Sequence, residues 1–158
     1  MEEKEWKIKV SVVPECELPA GERALVEAAR EAALQAYAPY SEFRVGAAAL
    51  LENGVTVTGN NQENAAYPSG MCAERVALFY AGAQYPDVPV KALAVAAWQN
   101  RAFAERISPC GGCRQVLLEV EKRYGKPVHV LLAGKHDVVV IRRAADLLPF
   151  GFDDFREA

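Results

Sequence analysis

Met71-Cys72-Ala73-Glu74-Arg75 and Ser108-Pro109-Cys110-Gly111-Gly112-Cys113-Arg114-Gln115 are the stretches around which the other segments arrange themselves. Each opens a run with helical spacing. After the first, Val76, Leu78, Phe79 and Ala83 form the expected apolar face of a helix over about 72–82. After the second, Val116, Leu117 and Val120 do the same over about 112–124, and Gly125 stops the helix. Val90 to Trp98, between them, is a near-continuous apolar run and predicts a strand buried on both faces.

Working outward, Leu25, Ala28, Ala29, Ala32, Ala33 and Ala36 recur at three- and four-residue steps, which predicts a helix from Gly21 to Ala36. Pro39 ends it, and its small alanines allow close packing on a sheet. Val45–Leu51 and Val55–Gly59 flank Asn53-Gly54, a strong hairpin signal. Downstream, Val128–Leu132 and Val138–Ile141 read as strands, residues 99–109 as a polar loop, and Ala144–Leu148 as a short helix. Ile8, Val10, Val12 and Val13 alternate loosely, which allows a short edge strand before Pro14. The order argues for α/β layers: one mixed sheet of about five strands covered by helices.

The chain has 158 residues, 51% of them apolar, enough for one domain with a full core. A net charge of −3 is not the footprint of a nucleic-acid binder. MEEKEWKIKV lacks the apolar core of a signal peptide, and no apolar run approaches the ~18 residues of a spanning helix. A cytoplasmic protein is therefore expected, with no membrane partner. In that compartment four cysteines point to metal binding or catalysis rather than disulfides. Cys16, with no second cysteine near it, reads as uninvolved.

Cys110 and Cys113 are spaced so that two sulfurs converge on one ion at the mouth of a helix. Cys72 supplies a third ligand, and neither His129 nor His136 has ligand spacing for a fourth. Three protein ligands and an open position describe a catalytic zinc, whose bound water loses its proton near neutral pH. Glu74 can reach that water only if Cys72 lies at the very tip of its helix. It then serves as general acid and base without ligating the metal. Zinc with three thiolates carries a net negative charge, and Arg75 is the candidate to offset it by hydrogen-bonding a sulfur. Arg114 is a weaker candidate for that role and reads rather as a helix-surface charge. Asn60-Asn61-Gln62-Glu63-Asn64 is a polar segment at a strand end. Asn61 and Glu63 point the same way on extended backbone. The pair either faces water or clamps the hydroxyls of a sugar.

Cys72-Ala73-Glu74-Arg75 with Pro109-Cys110-Gly111-Gly112-Cys113-Arg114-Gln115 resembles the small, all-cysteine cytidine deaminase family. The resemblance runs over about residues 20–155 and includes Pro39-Tyr40-Ser41, Phe43, Val45-Gly46-Ala47, Asn61-Gln62-Glu63-Asn64, Tyr67-Pro68 and Leu147-Leu148-Pro149. It implies a three-layer α/β/α fold and a homotetramer whose active sites borrow residues from neighbours. One zinc per subunit would be held by Cys72, Cys110 and Cys113, with Glu74 as the proton shuttle. Asn61 and Glu63 would bind the ribose 3′-hydroxyl, Phe43 would line the nucleoside pocket, and Ala73 would contact the substrate. An aromatic in the tail would stack on the base from an adjacent subunit, and spacing after Leu148-Pro149 favours Phe152 over Phe150. The implied reaction is hydrolytic deamination of cytidine or deoxycytidine in pyrimidine salvage.

Gln62 stands where that family usually has an aliphatic residue, and the first 19 residues precede its typical start. Other readings of the same residues are deamination of a related nucleoside analogue or free base, and a Cys-Gly-Gly-Cys thiol-redox domain. A structural zinc module would need a fourth ligand.

Overall fold

The structure, a computed structural model, describes residues 1–154; Phe155, where the resemblance ends, lies outside them. Its strands are β1 (Val10–Pro14), β2 (Arg44–Leu51), β3 (Thr56–Asn60), β4 (Val90–Gln99), β5 (Ala102–Phe103), β6 (His129–Ala133) and β7 (Asp137–Ile141). Its α-helices are α1 (Ala20–Leu34), α2 (Ala73–Gln84) and α3 (Gly111–Tyr124). The predicted last helix is a 3-10 turn, Ala144–Leu147.

The sheet runs β1-β7-β6-β4-β2-β3, with β5 pairing on β4. β4 and β6 are parallel and every other pair is antiparallel. The sheet is mixed as expected, but it has seven strands rather than five. One addition is the amino-terminal edge β1. The other, β5, falls inside the segment read as a polar loop. Asn100 and Arg101 adopt positive φ, the geometry of a tight hairpin turn, and fold β5 back on β4. The Trp98 and Phe103 rings then meet edge to face, 4.9 Å apart.

Side-chain size sets the distance between layers. On one face, Ala48 of β2 and Ala92, Ala94 and Ala96 of β4 meet Leu25, Val26 and Ala29 of α1. On the other, Leu51, Leu93 and Val95 pack with Ala73, Ala77 and Leu78 of α2 and Leu117 of α3. Helices therefore cover both faces, giving the three-layer α/β/α arrangement. The alanine face lets α1 come so close that a Cβ on Gly46 would sit 2.0 Å from the Ala29 carbonyl oxygen. α2 is close in the same way: a Cβ on Gly59 of β3 would sit 2.6 Å from Ala77 N.

The inward stripe of α2 differs from the expected one. Ala73, Ala77 and Ala81, one turn apart, face the sheet, while Phe79 is 52% exposed and Ala83 is exposed too. Over Gly59 the helix backbone comes too close to seat a ring, so Phe79 points outward.

Candidate active site

Cys72 is the N-cap of α2 and Cys110 the N-cap of α3. Both have extended backbone, and neither side chain caps its own helix. N-caps usually spend their side chain on the first free N–H groups. Here the sulfurs turn toward one another instead. Cys72 Sγ and Cys110 Sγ are 3.8 Å apart, and Cys110 Sγ and Cys113 Sγ are 3.5 Å apart. Cys113 sits in the first turn of α3 and is fully buried. The three sulfurs lie within 4.8 Å of one another. Sulfurs bound tetrahedrally to zinc at ~2.3 Å would be ~3.8 Å apart, so the donor set fits that ion. Among the described residues this is the one cluster of three or more His, Cys, Asp or Glu ligand atoms that could hold a metal.

The electrostatics support the same fit. Burial pushes the Cys113 thiol up, and the charges of Glu74 and Cys72 add to it. Cys110 is exposed; it loses some solvation, which raises its thiol, but interactions with Cys113 and Cys72 outweigh that and hold it below an ordinary thiol. Such a set resists full ionisation until a cation enters, which is how thiol ligands couple proton release to metal binding.

Cys72 lies at the helix tip, so Glu74 falls in the first turn and points into the cluster. Its side chain is only 4% exposed. Burial raises its pKa above the usual carboxylate range, opposed by its own backbone N–H, the Cys113 sulfur and the Arg75 charge. Arg75 Nη2 donates to Cys72 Sγ at 3.2 Å, as the charge argument required. Arg114 is no surface charge: its Nε donates to the Pro109 carbonyl at 2.9 Å and its Nη1 to the Leu147 carbonyl at 3.1 Å. It braces the loop that presents Cys110.

The amide-rich segment runs directly beside the cysteines. Gln62 and Met71 exchange two backbone hydrogen bonds of 2.9 Å, which seats residues 61–63 against the approach to Cys72. Asn61 Oδ1 accepts from Val45 N–H at 2.8 Å, and its Nδ2 donates to the Phe43 carbonyl at 2.9 Å. Glu63 accepts from the N–H groups of Tyr40 and Ser41 at 2.9 and 3.2 Å, and from the Ser41 hydroxyl. Both residues thus hold the loop that carries Phe43, a half-buried ring. Ser41 is part of this tether; the sequence offers it only within Pro39-Tyr40-Ser41, because a hydroxyl in a loop carries no pattern of its own. Ala73, first residue of α2, is fully buried beside Cys72. Phe152 is 64% exposed, and its backbone is held by Gln115.

Comparison with known proteins gives the same family from three directions. Residues 20–125 match the family model described as "Cytidine and deoxycytidylate deaminase zinc-binding region". A cytidine deaminase of Halalkalibacterium halodurans is 45% identical over 96 residues, covering 61% of this chain and 69% of that one. A cytidine deaminase of Mycobacterium tuberculosis is 40% identical over 131 residues, 80% of this chain and 86% of the relative. The crystal structure of cytidine deaminase from Burkholderia pseudomallei superposes with a TM-score of 0.70 at 45% identity, over 82% of this chain and 97% of that one. The family model spans both cysteine stretches, whose sulfurs the fold brings together. The chain belongs to the cytidine and deoxycytidylate deaminase family.

Proposed function

We propose that the protein hydrolyses the exocyclic amine of cytidine, deoxycytidine or both, releasing uridine or deoxyuridine and ammonia. The observation that carries this reading is the buried Glu74 carboxylate against three converging sulfurs. The named relatives, all cytidine deaminases, support the choice of pyrimidine.

Cys72, Cys110 and Cys113 hold one zinc ion, which supplies a Lewis-acid centre able to make water nucleophilic near neutral pH. Glu74 carries the proton. It takes one from the attacking water and delivers it to ring N3 as C4 becomes tetrahedral; it then takes the second from the new C4 hydroxyl and passes it to the amino nitrogen, so that the C4–N bond breaks, ammonia leaves and the C4 carbonyl forms. Burial keeps bulk water from short-circuiting that transfer. Arg75 steadies Cys72 and offsets the negative charge of three thiolates. Asn61 and Glu63, through the acceptor and donor capacity left after tethering the loop, take the ribose 3′-hydroxyl. Phe43 lines the nucleoside pocket, Ala73 contacts the base, and Phe152 stacks on the base of a neighbouring subunit's site.

The assembly is a homotetramer with shared sites. Tyr37, Tyr40, Tyr67, Phe79 and Tyr80, each more than half exposed, support burial between copies. The enzyme works on free nucleosides in cytoplasmic pyrimidine salvage. The net charge is −3, and among the described residues no helix is long and apolar enough to cross a membrane.

The test is conversion of cytidine by zinc-loaded protein, followed as uridine and ammonia. A strong chelator should abolish it and zinc should restore it. Glu74→Gln should keep zinc yet lose at least about 10²–10⁴-fold in turnover. Folded, zinc-loaded wild-type protein that leaves both cytidine and deoxycytidine intact would overturn the substrate. Robust turnover by Glu74→Gln would overturn the proton shuttle. A thiol-redox domain would instead purify without zinc and reduce disulfides.

A further inference from the structure

The amino-terminal arm and the carboxyl-terminal tail meet over α3, and the proposed chemistry accounts for neither the meeting nor its position. β1 pairs with β7 from Val10↔Ile141 to Pro14↔Asp137, which sends residues 1–9 toward the tail. There the Trp6 ring packs on the Phe150 ring, centroids 4.8 Å apart at 56°. Trp6, Ile8, Leu118, Leu148, Phe150 and Gly151 together line a cavity of about 430 Å³.

Three successive tail residues are held from three sides. Phe150 has φ +59°, a left-handed conformation that a bulky residue adopts only under constraint, and Trp6 packs on it. Gly151 presses on α3 so tightly that a Cβ there would lie 2.3 Å from Leu118 Cδ2. Phe152 is gripped by one amide: Gln115 Nε2 donates to its carbonyl at 2.6 Å, and Gln115 Oε1 accepts from its N–H at 3.1 Å. This pairing uses the amide as a backbone strand would, and fixes where the Phe152 ring leaves the chain. Gln115 stands two residues after Cys113 on α3, so the tail is referenced to the same helix turn as the buried sulfur.

The arm lies outside the matched family region, which starts at residue 20. Tail anchoring alone would need one contact, not a two-way amide clamp beside a second brace from the opposite end of the chain. We propose that Gln115 and Trp6 are positioning residues for Phe152, Gln115 by fixing its backbone and Trp6 by holding the strained turn before it. The arm thereby sets affinity for the nucleoside. The inference rests on the reading of Phe152 as the ring that meets the base.

The experiment uses full-length, zinc-loaded protein and the variants Phe152→Ala, Gln115→Ala, Gln115→Glu, Trp6→Ala and Trp6→Phe. It reads KM and kcat for cytidine, zinc content, and amide hydrogen exchange over residues 149–154. Gln115→Ala and Trp6→Ala should each raise KM up to about tenfold, more than they lower kcat, and should speed tail exchange. Gln115→Glu, which keeps the acceptor and loses the donor, should fall between Gln115→Ala and wild type. Trp6→Phe should recover most of the affinity. If Phe152→Ala leaves KM unchanged, the stacking reading falls and the inference with it. If Phe152→Ala raises KM but Gln115→Ala and Trp6→Ala do not, the inference alone falls. A loss confined to thermal stability or zinc content would likewise overturn it, because it would show a structural tie and nothing more.

Discussion

Replacing Gly59 by alanine should disable the site without replacing any residue in it. Gly59 is paired with Ala47 on the β2–β3 ladder and faces α2. A Cβ there would lie 2.6 Å from Ala77 N, 2.8 Å from Ala73 O and 3.0 Å from Val76 Cβ. Two of these are backbone atoms of the first helical turns and cannot rotate away. Restoring a contact of ~3.4 Å or more requires α2 to move out by about 0.8 Å. Cys72 precedes that turn and Glu74 lies within it. A metal site tolerates about 0.2 Å of error in its ligand distances, and a 1 Å misplacement of reacting groups can cost about 100-fold. Overpacking itself should cost about 1–3 kcal/mol, a fall in melting temperature of about 3–10 °C. Gly59→Ala should therefore fold, bind zinc weakly and lose about 100-fold in turnover. Gly46→Ala is the contrast. It collides with α1 at 2.0 Å from Ala29 O and 2.3 Å from Ala33 N, but α1 carries no sulfur. It should lose more stability and keep zinc in the folded fraction. Zinc per chain, cytidine turnover and thermal melts on both variants check the argument. One zinc per chain and turnover within about threefold of wild type in Gly59→Ala would refute it, since the helix would then have moved without consequence.

Arg75→Ala removes the donor 3.2 Å from Cys72 Sγ, and should weaken zinc retention or activity by about 10–100-fold in a chelator competition and a turnover assay. Unchanged values in both would remove Arg75 from the site. Glu121→Ala should be a stability variant: the buried carboxylate accepts from Val128 and Ala144 N–H at 2.7 Å and from Ala145 N–H at 3.0 Å. Stranding these donors should cost about 3–6 kcal/mol in urea unfolding, a large part of a typical 5–15 kcal/mol, and a loss under ~1 kcal/mol would show that water replaces the carboxylate. The Ser41 hydroxyl and the Tyr40 N–H hold Glu63 below the usual carboxylate range. Because the folded value is the lower one, the tether's contribution is present above the unfolded pKa and lost as pH falls through the folded one. Amide protection of residues 40–43 should persist at about pH 4 and fail below it, and Ser41→Ala should move that loss upward. Protection that fades already near neutral pH would contradict the assignment.

What the sequence made legible follows the strength of local rules. The hairpin around Asn53-Gly54, the alanine helix α1 and both cysteine-bearing helices were readable because turn chemistry and periodicity act over a few residues. The cysteine set was readable because thiols at a helix mouth have few other uses in this context. β5 was hidden because its strand has two residues and its turn depends on positive φ at Asn100 and Arg101. Weighting large side chains points the wrong face of α2 inward. Phe79 loses to alanine because the helix lies too close to Gly59 for a ring, a fact of packing between segments. Arg114, Gln115 and Glu121 act on backbone atoms far away in sequence and Ser41 on the distant Glu63 carboxylate, and no residue pattern announces a partner such as Leu147 or Ala144. Asn61 and Glu63 were legible as a pair but not as a tether, because what they bind locally is the loop at 40–45.

The charge around the sulfurs explains why two helix starts are used rather than one. With zinc bound, three thiolates leave the cluster one negative charge in excess. Arg75, donating to Cys72, cancels it. An ionised Glu74 beside Cys113 would add another, and a single helix terminus offers only about half a positive charge against it. Two termini, those of α2 and α3, converge on the cluster and offer about one charge between them. The carboxylate is then close to balance when ionised, while burial favours it protonated. The proton shuttle proposed for Glu74 needs neither form strongly preferred. Placing Cys72 and Cys110 as N-caps serves both ends at once: it frees the sulfurs to converge, and it brings two helix termini to the Glu74 carboxylate.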